Sequence, residues 1–221
     1  MWVRICTVTL FTLMTGLADD WPAPSIREIF SPSRSHFVRV IPGSNWGEAY
    51  GFRGAQKGPF AQAEFFGRQP DGSYQRLRAI TLVNPVAPVD FFVTNRGDLV
   101  TLDNWHNKGY GKVVVFYRLD GKVTQAYELP DLFSTDEVNG FDHSMSSIQW
   151  RSQAYLNPDG RSLFLQIREG TDVTFDIPSG AYQVCESSGG QYVCRHTNRW
   201  RVWGPFRSVD QPVSLAPASG K

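Results

Sequence analysis

The chain has 221 residues, with 22 Lys and Arg against 21 Asp and Glu, so its formal net charge is +1. This length suits one ordinary domain with a sizeable core, which needs neither a metal ion nor many disulfides to hold it together. The balanced charge creates no global field that would favour nucleic acid or an anionic membrane, and it excludes nucleic acid as an expected partner.

The N-terminus has the pattern of a secretory signal peptide. Arg4 precedes an apolar run over residues 5–17, and the small residues Gly16 and Ala18 stand before Asp19, where cleavage is expected. The apolar run is too short to cross roughly 30 Å of hydrocarbon as a helix. We therefore predict that residues 1–18 are removed, that the mature protein is secreted or periplasmic, and that it has no stable membrane span.

After this segment, short runs rich in Val, Phe, Tyr and Thr alternate with turn residues, which is typical of half-buried strands. They form three groups of four. The first group comprises residues 27–30, 36–41, 61–67 and 73–82; the second 89–94, 99–102, 112–117 and 122–129; the third 148–156, 162–167, 172–177 and 181–185. Most of the short turns contain a glycine that can supply the positive φ of a tight hairpin, as in Asp120-Gly121. Each group is therefore predicted to be a four-stranded antiparallel meander.

The three groups are similar to one another in sequence. Their second strands, HFVRVI, DLVTL and SLFLQI, align, and their third strands place an aromatic residue four to six positions before the turn glycine. Such internal repetition is typical of repeat architectures. Residues 27–185 resemble the blades of a β-propeller, in the general manner of secreted NHL-like and quinoprotein-like repeats, on the basis of this periodicity and the turn glycines.

The predicted fold class is all-β, with three successive four-stranded antiparallel meanders in a propeller-like arrangement and with a β-sandwich or barrel as the alternative. Because propellers typically use four to eight blades, the outermost sheets need cover. Residues 185–209 offer a C-terminal hairpin that would form an incomplete fourth blade, or else a second copy or another protein supplies the cover. Residues 19–209 then form a single domain, and residues 210–221, rich in Pro, Ser and Ala, form a disordered tail.

The mature chain keeps two cysteines, Cys185 and Cys194, on either side of a Gly-Gly turn. In an oxidising compartment this arrangement favours a hairpin disulfide. A zinc site with His196 is the alternative, but zinc sites usually space a Cys pair by two to four residues. A helix is predicted after Ser134, where Ser134-Thr135-Asp136-Glu137 is typical of a capping box.

In a meander the loops alternate between the two ends of the sheet. The short glycine turns fall at one end, whereas the long connections, residues 43–59, 83–88, 103–111 and 133–147, fall at the other. Binding residues tend to lie on long loops of a rigid scaffold, and in propellers this end commonly binds the ligand. We therefore expect the ligand-binding face there. Its predicted ligand-binding residues are Trp46, Tyr50, Phe52, Trp105, His106, Tyr110 and His143.

Four side chains on this face have the chemistry to bind a metal ion or to perform acid–base catalysis: Asp103, His106, Asp142 and His143. Their alternative role is structural, with the carboxylates bonded to turn amides and the imidazoles solvated. The favoured function is a secreted, non-catalytic binding module for a carbohydrate-like ligand or an envelope protein, without a cofactor. The alternatives are a metal-assisted hydrolase or lyase that uses these four residues, and a self-associating structural subunit.

Overall fold

The computed structural model describes residues 21–45, 58–188, 191–196 and 199–205, without the side chains of Ser188, Tyr192, His196 and residues 199–205. Several predictions fall outside this part of the chain. They concern the signal peptide, the aromatic residues Trp46, Tyr50 and Phe52 of the glycine-rich insertion, and the tail at residues 210–221.

Sheets A and B are four-stranded antiparallel meanders that follow one another in the chain. Sheet A consists of β1 (Arg27–Phe30), β2 (His36–Ile41), β3 (Gln62–Arg68) and β4 (Tyr74–Thr81). Sheet B consists of β5 (Pro88–Val93), β6 (Leu99–Asn104), β7 (Val114–Tyr117) and β8 (Val123–Tyr127). Both sheets have the predicted strand order, and their strand ends lie close to those expected from the turn residues.

Sheet C continues the pattern but has six strands in sequence order. They are β11 (Gln153–Leu156), β12 (Ser162–Arg168), β13 (Thr171–Asp176), β14 (Tyr182–Ser188), β15 (Gln191–His196) and β16 (Arg199–Pro205). The predicted disulfide is formed, and Cys185 lies directly opposite Cys194, so β15 continues the ladder of β14. The C-terminal hairpin therefore extends the third meander, and the expectation of a separate fourth blade is wrong.

The predicted strand at residues 148–156 is divided in two. Its first part, β10 (Ile148–Gln149), pairs with β9 (Asp142–His143) in a separate two-stranded sheet, whereas its second part is β11. The division falls at Trp150 and Arg151, because their side chains turn towards Asp103 in sheet B.

The helical residues of the described ranges lie in the connection between sheets B and C, where α1 (Leu129–Leu132) and α2 (Thr135–Asn139) follow β8. The predicted capping box is confirmed. Glu137 N donates a hydrogen bond to Ser134 Oγ (3.3 Å), and Ser134 N donates to Glu137 Oε2 (2.7 Å). Among the described helices, none has the length and apolar character needed to cross a bilayer.

Sheet B lies between the other two large sheets, so the core has two layers. The layer between sheets A and B contains Val38, Val40 and Phe65 from sheet A and Phe91, Leu99 and Tyr117 from sheet B. The layer between sheets B and C contains Val100, Leu102, Val114 and Phe116 from sheet B and Leu163, Leu165, Val173 and Phe175 from sheet C. Because alternate residues of β6 and β7 serve different layers, both strands are buried on both faces. The class is all-β, and none of the four described sheets closes into a barrel.

The first hairpin turns of the three large sheets lie side by side at one end of the molecule. Ser33 N donates to Asn95 Oδ1 (2.8 Å), and Asn95 Nδ2 donates to Pro158 O (3.3 Å). Equivalent turn positions have positive φ, namely Arg34 (57°), Gly97 (85°) and Gly160 (70°). The turn of sheet A thus contacts the turn of sheet B, which contacts the turn of sheet C. Because the strands are antiparallel, the long connections lie at the opposite end of the sheets.

Candidate functional site

Residues 103–111, which comprise the last two residues of β6 and most of the connection to β7, form what we call the rim loop. Four of them have positive φ, namely Asp103 (57°), His106 (69°), Gly109 (82°) and Gly111 (65°). This conformation is easy for glycine and uncommon for other residues, although Asp and His adopt it more often than most. Strained residues of this kind persist only where the surrounding contacts impose them, and they cluster at binding and catalytic sites.

Asp103 fixes the rim loop from within the core. Its side chain is fully buried, and its Oδ1 accepts hydrogen bonds from Gly109 N (3.0 Å) and Trp150 Nε1 (2.7 Å). Its Oδ2 accepts from Arg151, whose Nε and Nη2 are each 2.8 Å away. Both oxygens of Asp103 are therefore engaged by protein donors in the interior.

Arg151 connects the rim loop to two other parts of the molecule. Its Nη2 also lies 2.8 Å from Asp90 Oδ2 in β5, and the Arg151 side chain is only 4% exposed. Because Arg151 follows β10, it ties the connection before sheet C to sheet B. Sharing between two carboxylates compensates the charge of the buried guanidinium.

The linker between sheets A and B packs against the rim loop. Asn84 Nδ2 donates to the carbonyl oxygen of Asp103 (2.9 Å). The base of the glycine-rich insertion reaches the same place, because Gly43 N donates to Val86 O (2.7 Å) in this linker. Three of the four long connections predicted to share one end therefore meet there.

Strand β10, which directly follows the fourth long connection, contacts the rim loop as well. Ile148 N donates to Lys108 O (2.8 Å), and Lys108 Nζ donates to Gln149 Oε1 (2.9 Å). Burial is the main cause that lowers the pKa of Lys108, and the positive charge of Arg151 lowers it further. The long connections thus come together at one end of the sheets, as the meander pattern predicts.

The four predicted metal ligands do not form one cluster in the described part of the chain. Asp142 and His143 make up strand β9 and are exposed, whereas Asp103 is buried in the core. Throughout the described ranges, no three His, Cys, Asp or Glu side chains come together in a way that could hold a metal ion. The segments that carry the four predicted ligands meet, but their four side chains do not form one group.

An aromatic patch covers the rim loop on its outer side. The ring centroid of Trp21 lies 5.3 Å from that of Trp105 and 5.9 Å from that of His106. Trp105 Nε1 donates to Pro22 O (3.0 Å), and the Arg27 guanidinium lies 5.7 Å from the Trp105 ring centroid. We call Trp21, Arg27, Trp105 and His106 the rim patch; each of them is half-buried.

The rim patch combines ring faces with two polar groups. Partial burial lowers the pKa of His106 below its usual value of about 6.5, which favours the neutral imidazole at pH 7, and Nε2 of the ring is buried. The Arg27 guanidinium donates to the carbonyl oxygens of Pro88 (2.6 Å) and Val89 (2.9 Å), which holds its charge beside the rings.

The rim patch overlaps with the predicted ligand-binding residues only in part. Trp105 and His106 belong to it, whereas Tyr110 is partly buried and packs against the layer between sheets B and C. Trp21 and Arg27 were not among the predicted residues. Both precede or begin the first strand, and nothing local in the sequence indicates which loop they contact.

No protein-family model matches the sequence, and no curated protein matches it either. The chemistry of the rim patch is therefore the guide to function. A surface that presents two indole rings beside a guanidinium is suited to hold a ligand with an apolar face and polar groups at its edge.

Proposed function

We propose that the protein is an exported, non-catalytic binding module that captures a carbohydrate-like ligand on the rim patch. The observation that carries this proposal is the rim loop with positive φ at four residues, which the buried pair of Asp103 and Arg151 anchors to the core. A loop that is ordered before the ligand arrives loses little conformational entropy on binding, which favours affinity. The disulfide between Cys185 and Cys194 supports export to an oxidising compartment.

The side chains of the rim patch favour a ligand with flat apolar faces and hydroxyl groups at their edges. The rings of Trp21 and Trp105 are inclined by 59° to each other, so they present two differently oriented surfaces on which sugar rings can stack. Arg27 supplies hydrogen-bond donors beside these rings.

The size of the rim patch favours a carbohydrate over an envelope protein as the ligand. The patch consists of four side chains around one loop, namely Trp21, Arg27, Trp105 and His106. A stable protein–protein interface buries about 800 Å² on each partner and involves many more residues. A small or repeating ligand therefore fits the patch better.

An array of immobilised oligosaccharides tests this proposal, and the mature protein is expected to bind a subset of them. Trp21→Ala and Trp105→Ala should each weaken the apparent affinity by at least about tenfold, as is usual for a central aromatic contact. Val123→Ala is the matched control, because Val123 is an exposed apolar residue at the start of β8, at the end with the short turns. This variant should bind like the wild type.

The melting temperature of each variant separates loss of binding from loss of fold. Both tryptophans are only half-buried, so their replacement should change the melting temperature little. The proposal fails if the wild type binds no oligosaccharide. It also fails if the two tryptophan variants bind as well as the wild type does.

A further inference from the structure

Near the first hairpin turn of each large sheet, directly paired residues of the first three strands form a row on each face of the sheet. The rows occupy equivalent positions in the three sheets. The first rows are Phe30, Phe37 and Phe66 in sheet A, Val93, Leu99 and Tyr117 in sheet B, and Leu156, Leu163 and Phe175 in sheet C. The second rows, on the opposite faces, are Ile29, Val38 and Phe65; Phe92, Val100 and Phe116; and Tyr155, Phe164 and Thr174.

Both internal interfaces pair a second row with a first row. Between sheets A and B, Phe65 of a second row and Tyr117 of a first row belong to the same apolar layer. Between sheets B and C, Phe116 and Phe175 stand in the same relation, with their ring centroids 5.5 Å apart. The three sheets therefore stack in one sense, and each interface uses the same two rows.

This stacking leaves the first row of sheet A without a described sheet against it. The row is a continuous aromatic strip, in which Phe37 stacks on Phe66 at 4.3 Å and lies 4.9 Å from Phe30. Tyr74 packs edge-on against Phe37 at 5.1 Å. Phe30 is 38% exposed, whereas the equivalent Val93 of sheet B is 1% exposed.

The second row of sheet C is the other row that no described sheet covers, and it also carries aromatic residues. Tyr155 stacks on Phe164 with their ring centroids 5.1 Å apart, and Tyr155 is 47% exposed. The equivalent residues of sheet A, Ile29 and Val38, pack against sheet B. Exposed aromatic residues at positions that form interfaces elsewhere in the same molecule indicate a surface that a partner covers.

We infer that two copies of this chain associate head to tail, with the first row of sheet A in each copy packed against the second row of sheet C in the other. A two-fold axis then forms both contacts at once and closes six sheets into a ring, which is within the usual four to eight blades of a propeller. Each contact between the copies repeats the row pairing of the internal interfaces.

Charge and area are consistent with this association. The Arg34 guanidinium lies 5.2 Å from the Phe30 ring on sheet A, whereas the negative charge of Asp172 lies near Tyr155 on sheet C. The contact thus brings opposite charges together beside the aromatic rows. A four-stranded face with about six residues per strand covers roughly 20 by 20 Å. Four such faces bury about 1,600 Å², which is the size of a standard specific interface.

Light scattering or sedimentation of the mature protein at micromolar concentrations tests the association, and the expected mass is that of two chains. Phe30→Glu and Tyr155→Lys each place a charge on one of the two faces. Each should yield the mass of one chain, because the dissociation constant of the dimer rises by more than about a hundredfold. Val123→Glu is the matched control, because Val123 is a 39% exposed apolar residue of sheet B, and this variant should remain a dimer.

An equimolar mixture of Phe30→Glu and Tyr155→Lys distinguishes head-to-tail contacts from contacts between like faces. In a mixed dimer one contact is unaltered, and the introduced carboxylate and ammonium meet at the other, so the mixture should recover the mass of two chains. Circular dichroism checks that each variant is folded, and Phe30→Ser and Tyr155→Ser replace any charged variant that is not. The inference is overturned by a wild type that stays monomeric or forms open polymers, by a dimer that the substitutions do not weaken, or by a mixture that does not recover.

Discussion

Asp103 and Arg151, 48 residues apart in the sequence, form a buried ion pair in which Oδ2 lies 2.8 Å from Nε. The two side chains are 0% and 4% exposed. The pair joins β6 to the connection that leads into sheet C. Loss of Arg151 leaves the Asp103 carboxylate buried without a counter-charge, and loss of Asp103 leaves the Arg151 guanidinium with only the partly exposed Asp90. This contact is therefore expected to contribute strongly to both the fold and the conformation of the rim loop.

Asp103→Asn should therefore lower the free energy of unfolding by about 3–5 kcal/mol, since it leaves the Arg151 guanidinium without this counter-charge. Asn tolerates positive φ, so the substitution tests the charge without adding backbone strain. Urea unfolding followed by circular dichroism measures the change. Asp142→Asn is the control, because Asp142 is exposed, and it should change stability by no more than about 0.5 kcal/mol.

Combining Asp103→Asn with Arg151→Gln should cost less than the sum of the two single substitutions, since the two residues act as one unit. Strictly additive losses would show that the two side chains contribute independently.

Gly109 of the rim loop approaches Ile148 so closely that a side chain does not fit. A Cβ at Gly109 would lie 2.6 Å from Ile148 Cβ and 2.9 Å from Ile148 O, and φ at Gly109 is 82°. Gly109→Ala should therefore cost about 3 kcal/mol, as the sum of a left-handed alanine and a steric clash. Urea unfolding of the variant measures this cost.

Gly72→Ala is the matched control for the rim-loop substitution. Its φ is 85°, but a Cβ at Gly72 would meet no atom closer than 3.7 Å. This variant should lose only the conformational share, about 1 kcal/mol. Equal losses for Gly72→Ala and Gly109→Ala would mean that the contact between Gly109 and Ile148 is unimportant.

Tyr117 lies in the layer between sheets A and B, and burial raises its pKa to about 12. The pKa of an unfolded tyrosine is about 10. Burial of the neutral Tyr117 side chain therefore stabilises the fold fully below about pH 10, and this contribution is lost as the pH rises towards 12. The loss is on the order of 2–3 kcal/mol. Tyr117→Phe should accordingly lose less stability than the wild type between about pH 9 and about pH 11.5 in urea unfolding.

The hydroxyl of Tyr117 also accepts a hydrogen bond from Val83 N (3.0 Å), so Tyr117→Phe carries a further cost of about 1 kcal/mol that is the same at both pH values. Tyr74→Phe, at a half-buried tyrosine on sheet A, is the control and should retain the wild-type loss at high pH. If Tyr117→Phe and the wild type lose the same stability between the two pH values, Tyr117 is not the group that causes the loss.

The disulfide between Cys185 and Cys194 closes a short loop with a sequence separation of 9. Replacing both cysteines by serine should lower the free energy of unfolding by about 2–3 kcal/mol, because the unfolded chain gains conformational freedom. A reductant should bring the wild type to the stability of this double variant and leave the variant unchanged. A double variant as stable as the oxidised wild type would show that the crosslink does not contribute.

The strands of sheets A and B can be located from the sequence because the determinants are local. Turn pairs such as Asp120-Gly121 place the hairpins, and runs of β-branched and aromatic residues mark the strands between them. The position of the C-terminal hairpin does not depend on local sequence alone. Alternation in residues 191–196 indicates a strand, but it does not specify whether that strand extends sheet C or starts another sheet.

The end that carries the functional candidates also follows from the strand order, since loops alternate in a meander. The roles of individual side chains at that end do not follow from the strand order. Asp103 has the sequence context of a loop carboxylate, and its burial depends on Trp150 and Arg151 from a later part of the chain. Trp21 similarly contacts Trp105 across a long sequence interval, so local patterns could not place it in the rim patch.

Because each face of sheet B serves a different core layer, the protein acquires its last apolar contacts late. A nascent chain that has completed sheets A and B still exposes Val100 and Phe116 to water until β12 and β13 arrive. Such an intermediate is prone to aggregate, so chaperone dependence during biogenesis should centre on the interval before the third sheet assembles.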